Sequence, residues 1–93
     1  MDKLTDNEVS ERIAVKLKLE RVRYGYTLQQ VSNFTGIDVS DLSKFENATR
    51  QINFRNLNIL LHFYDLNFEQ FFRDFNTFDL DKSRNLFRSP CKK

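Results

Sequence analysis

The 93-residue chain has two glycines, one proline, one cysteine, one histidine and no tryptophan. So little glycine and proline argues against a strand-and-turn architecture, which needs more punctuation, and for helices joined by short corners. A single cysteine, Cys91, excludes an internal disulfide and a cysteine-rich zinc site and suits a reducing compartment. No stretch approaches the roughly 18 apolar residues that a membrane span requires. The opening MDKLTDNEVSER has no apolar segment of the secretory kind, so the expected location is cytoplasmic. No nucleophile–base pair, glycine-rich phosphate loop, HExxH or CxxC pattern occurs. The expectation is therefore neither an enzyme nor a cofactor-binding or metal-binding protein. His62 stands beside a leucine stripe and reads as a packed or surface side chain.

Apolar residues make up 40% of the chain, enough for one small core. Fifteen basic and 13 acidic residues leave a net charge of only +2, so any argument for a polyanionic partner must rest on where the charges lie. Nine asparagines supply caps and corners in place of glycine.

The periodicity predicts an all-α domain of five helices. In residues 8–24, Val9, Ile13 and Leu17 form one apolar row and Val15, Leu19 and Val22 a second, with Arg12, Lys16, Lys18, Arg21 and Arg23 on the surface and Gly25 as the stop. Thr27 with Gln30 spells a capping box for LQQVSNF, whose inward residues are expected to be Leu28, Val31 and Phe34. Thr35-Gly36 makes a sharp corner, because glycine accepts the positive φ such a corner needs, and Ile37 packs inside it. Asp38 is expected to cap VSDLSKFEN, with Leu42 and Phe45 inward. Asn53 caps a stripe of Phe54, Leu57, Leu60, Leu61 and Tyr64, and Asn67 caps FEQFFRDF. Residues 1–76 are taken as the domain. Residues 77–93 are a C-terminal extension, flexible in part or dimer-forming, with room for one more short helix near Asp81 or Ser83. The last dozen residues carry five basic side chains and no acid.

Five short helices with a tight corner between the second and third match a helix-turn-helix arrangement. The segments GYTLQQVSNFTGIDVSDLSKFEN and NFRNLNILLHFYDLNFEQFF, within residues 12–72, resemble the lambda-repressor-like, or Xre-type, helix-turn-helix family. Thr27 and Gly36 stand nine positions apart as in that family, and SDLSKFENA, Ser40 to Ala48, follows its S-x-I-S-x-x-E-x-G run. Four positions depart from the pattern: Glu20 replaces an inward leucine, Leu28 a frequent phosphate-touching glutamine, and Ala48 and Asp65 frequent glycines.

The resemblance implies double-stranded DNA as partner, with the helix at about 39–47 in the major groove. By position, Val39 and Ser40 would meet base edges, Ser43 and Lys44 would follow one turn on, and Asn47 and Arg50 would reach phosphate or the groove edge. The residue types agree: serine donates or accepts, lysine donates to guanine, valine sits on a thymine methyl. Thr27, Gln29 and Gln30 open a helix whose free N–H groups favour a phosphate.

The acids are the difficulty. Asp38 reads as a cap held by the backbone, and Glu46 as bonded to nearby backbone or Arg50. Asp41 either accepts from cytosine N4 or is turned to solvent or paired with Lys44. Ten phenylalanines are too many for one helix face. Phe71, Phe72, Phe75 and Phe78 are therefore assigned to a homodimer contact, with packing of the tail as the other reading.

Two functions follow. The first is a sequence-specific transcriptional regulator, a repressor, binding a palindromic site as a homodimer. The second is the same fold used as a protein-interaction module, an antirepressor or a subunit of a regulatory complex. Lys44, Arg50, Lys16 and Arg21 on one face would support DNA. Asp38, Asp41 and Glu46 together on that face would support a protein partner.

Overall fold

The computed structural model describes residues 6–73, and Phe75, Phe78, the possible sixth helix, the boundary at 76, Cys91 and the basic tail lie outside them. Five helices follow in order: α1 Asp6–Tyr24, α2 Leu28–Thr35, α3 Val39–Glu46, α4 Phe54–Phe63 and α5 Phe68–Phe72. Among the described residues there is no strand, and no helix is long and apolar enough to cross a membrane.

Each helix after the first is started by the side chain the sequence supplies, with one exception. Thr27 and Gln30 form the expected capping box, Gln30 N–H donating to Thr27 Oγ1 at 3.1 Å and Thr27 N–H to Gln30 Oε1 at 2.8 Å. Asn53 accepts from Asn56 N–H at 2.8 Å. Asn67 and Gln70 form a second capping box. Asp38 is the exception: it occupies the N-cap position of α3, but its carboxylate makes no bond to the helix backbone.

The ends of α1, α3 and α4 share one device. Gly25, Ala48 and Asp65 adopt positive φ, and the next residue's N–H reaches back five positions, as in Thr49 to Lys44 O at 3.1 Å and Leu66 to Leu61 O at 2.8 Å. This is the Schellman closure, which satisfies carbonyls the helix leaves open. Ala48 at φ 59° and Asp65 at φ 61° hold the conformation that the family fills with glycine.

The core gathers Leu17, Val31, Ile37, Leu42, Phe45, Leu57, Leu60, Leu61, Tyr64 and Phe71, so that every helix contributes. Ile37 in the corner and Leu42 and Phe45 behind α3 fix the third helix against the other four. Three expected inward residues face out: Val22 is 49% exposed, Phe34 68% and Phe54 72%. Val22 lies in the last turn of α1, about 140° around the helix from Leu17. Phe34 and Phe54 sit at helix ends and each lay one face on another ring while staying largely exposed: Phe34 stacks on Phe63, centroids 5.8 Å apart, and Phe54 on Phe68 at 5.2 Å. Phe71 is 2% exposed and belongs to the protomer's own core, so it cannot be a dimer contact as the sequence suggested. α1 is already helical at Asp6, the first described residue, two positions before the expected start at residue 8.

Candidate nucleic-acid interface

With about 100° between successive residues of an α-helix, burying Leu42 and Phe45 fixes what α3 shows to the outside. Ser40, Lys44 and Asn47, at i, i+4 and i+7, form the outward stripe, and all three are exposed. Ser43 lies beside them, partly buried, and its Oγ accepts from Asn47 Nδ2 at 3.3 Å. Asp41 and Glu46 fall about 110° to either side of that stripe, on opposite flanks.

Both flanking acids are neutralised by arginine. Glu46 faces α1, where Arg21 Nε reaches its two oxygens at 3.1 and 2.8 Å and Arg21 Nη2 donates to Oε1 at 3.0 Å. Arg21 Nη1 also donates to Tyr26 O at 2.8 Å. The pair is largely enclosed, with side-chain exposures of 14% and 8%. Glu46 therefore bonds neither local backbone nor Arg50, as the sequence suggested, but clamps α3 to α1. Asp41 pairs with Arg50 rather than Lys44, Nη1 to Oδ1 at 2.9 Å, which ties the loop after α3 back onto the helix. Tyr64 lies behind this clamp. Burial pushes its phenol well above the usual tyrosine value, and the Glu46 carboxylate pushes the same way against the Arg21 guanidinium.

Asp38 is exposed and receives Ser40 Oγ–H at 2.6 Å. Its carboxylate is thus turned toward the outward stripe and not toward the backbone, contrary to expectation. The three acids do not share one face. The four cations proposed as a second signature do not share one either. Lys44 and Arg50 are exposed, Arg21 is spent on Glu46, and Lys16 Nζ lies 5.5 Å from the centre of the Phe71 ring on α5.

A family model described as helix-turn-helix matches residues 17–71, more than half of the chain. The chain belongs to the lambda-repressor/Xre-like helix-turn-helix family. No curated protein and no solved structure matches it. A helix-turn-helix domain of this family is a DNA-binding regulatory module, which assigns the chain to DNA-binding regulators in general.

Within this helix-turn-helix domain, α2 and α3 are the motif helices and Gly36, φ 82°, is their corner. Thr27, Gln29 and Gln30 are exposed at the start of α2, but their side chains are already engaged. Thr27 and Gln30 close the capping box, and Gln29 Nε2 donates to Asn33 Oδ1 at 2.9 Å. Val39 is half-buried, on the Glu46 flank of α3. Sequence reasoning passed over Arg55, exposed in the first turn of α4. It lines an open groove of about 340 Å³ with Asp38, Asp41 and Asn56 beside the motif corner. An arginine two positions after the Asn53 cap was the available signal. Among the described residues no cluster of His, Cys, Asp and Glu could hold a metal.

Proposed function

We propose that this domain is a sequence-specific double-stranded DNA-binding transcriptional regulator that lays α3 in the major groove and represses by occupying its site. The observation that carries this reading is the outward stripe of Ser40, Lys44 and Asn47, with Ser43 beside it and with Asp41 and Glu46 turned to the flanks and each closed by an arginine. A polyanion approaching α3 along its outward face meets hydroxyls, an amide and an ammonium, with a single carboxylate, that of Asp38, bonded to Ser40 at the head of the stripe. The start of α2 adds backbone N–H groups at its positive dipole end for a phosphate, and Arg55 adds attraction that does not depend on sequence. No cofactor is part of this reading, and the setting is the cytoplasm, where the duplex is.

The domain acts as a homodimer, its two-fold axis placing two α3 helices one DNA turn apart, about 34 Å. With Phe71 inside the core, the apolar face available for such a contact is the run of parallel rings Phe54, Phe68 and Phe72. Their centroids are 5.2 and 6.3 Å apart, and Phe54 is largely exposed.

A second reading, a regulatory protein as partner, is favoured by a separate aromatic cluster. Tyr24 and Phe34 are 48% and 68% exposed and join Tyr26 and Phe63 in a cluster to which α3 contributes no ring. Titrating random duplex DNA at several salt concentrations separates the two. The duplex reading expects retention on DNA at about 50 mM salt and a steep loss of affinity above it, with Lys44→Ala lowering the salt slope by about one and Arg50→Ala weakening binding by baring the Asp41 carboxylate. Wild-type protein that passes unbound at low salt would leave the protein-partner reading.

A further inference from the structure

The bond between Asp38 and Ser40 fixes the hydrogen-bonding polarity of the first turn of α3. An ionised carboxylate carries no proton and can only accept. The 2.6 Å contact therefore has Ser40 Oγ–H donating to Asp38 Oδ2, at the short distance typical of a hydroxyl on a carboxylate. Nothing competes for this carboxylate from the helix itself, because it makes no capping bond. Ser40 is exposed at the head of the outward stripe, so its remaining lone pairs face whatever α3 meets. A serine free to rotate can serve any base; a serine whose proton is already held can only accept.

We infer that Asp38 is a positioning residue that turns Ser40 into a dedicated acceptor, so that the first turn of α3 selects a base bearing an exocyclic amino group, adenine or cytosine. In the major groove only adenine N6 and cytosine N4 offer such protons, whereas guanine O6 and thymine O4 present acceptors that would face Ser40 oxygen to oxygen. The second carboxylate oxygen of Asp38 adds negative potential at the same place and reinforces the preference. Lys44 and Asn47, one and two turns along, supply donors, so acceptor and donor readout are separated along one helix face. This inference rests on the major-groove reading above and goes beyond it by naming the base class and the residue that imposes it.

The test is selection of bound duplexes from a random library by the full chain, in wild-type, Ser40→Ala and Asp38→Ala forms, with thermal melts to verify folding. Every base pair carries one such amino group, so the preference is one of orientation: on the strand that faces Ser40, in a register fixed by the Lys44 and Asn47 positions, one position should accept adenine and cytosine alike, by roughly tenfold over guanine or thymine. That position should lose its preference in Ser40→Ala. It should also broaden in Asp38→Ala, while the positions read by Lys44 and Asn47 stay unchanged. Asp38 makes no capping bond, so its variant should stay folded; should it unfold, the wild-type and Ser40→Ala comparison still decides. A Ser40-dependent position that separates purine from pyrimidine, or A·T from G·C pairs, in place of these two orientations, no position that depends on Ser40, or a folded Asp38→Ala with an unaltered profile would overturn the inference while leaving duplex binding intact. A wild type that enriches no sequence at all overturns the duplex reading, and this inference with it.

Discussion

Removing the Glu46 carboxylate should destabilise this domain far more than a surface acid would. In Glu46→Ala the Arg21 guanidinium stays where α1 holds it, 14% exposed, and loses three of its four hydrogen bonds, keeping only Tyr26 O at 2.8 Å. Breaking a buried ion pair by deleting one partner costs about 3–5 kcal/mol, because a charge is left desolvated and unpaired. The retained carbonyl and the residual solvent contact place this case at the low end, about 3 kcal/mol. The whole domain is worth only about 5–14 kcal/mol by the usual per-residue stability. At about 4–8 °C per kcal/mol, the melting temperature should fall by more than 10 °C, measured by far-ultraviolet circular dichroism.

A double variant, Arg21→Leu with Glu46→Leu, removes both charges and should recover much of that loss, since apolar groups of similar volume can replace a buried pair. Glu46 lies on a flank of α3, so the fraction of Glu46→Ala that remains folded at low temperature should keep the wild-type salt slope for DNA. A Glu46→Ala melt within about 3 °C of wild type would refute the reasoning, as would a double variant whose loss equals the sum of the two singles.

Two further outcomes concern stability. Ala48→Gly should stabilise the domain by about 0.5–1 kcal/mol, since an alanine at φ 59° pays a left-handed penalty larger than the added chain entropy of glycine; urea unfolding measures it, and a loss of stability would place strain elsewhere in the α3–α4 loop. The raised pKa of Tyr64 works on the alkaline side. Its stabilisation is complete below the ordinary tyrosine value of about 10 and drains away as pH rises past it, because the unfolded chain then releases a proton that the folded one keeps. Chemical denaturation across that range should show the decline, and Tyr64→Phe should flatten it.

The caps, the corner and the hydrophobic spacing were legible in the chain because each acts over three or four residues. Thr27-Gln30, Asn53 and Asn67 start their helices as read, Gly36 turns the corner, and Leu42 and Phe45 point inward as their spacing requires. Phe34 and Phe54 were misjudged because apolar spacing identifies a stripe, not whether another element lies over its ends.

The acids show most clearly where local reading stops. Sequence alone determined that Asp38, Asp41 and Glu46 lie in and beside α3, and that this helix carries a stripe of hydroxyl, amide and ammonium groups. Only the tertiary structure decided what each acid does. Arg21 comes from 25 positions away to take Glu46, the loop after Ala48 carries Arg50 back to Asp41, and Asp38 forgoes its own helix for Ser40. A helix fixes the direction of its side chains through its own geometry, but which charge meets which depends on how separate helices pack.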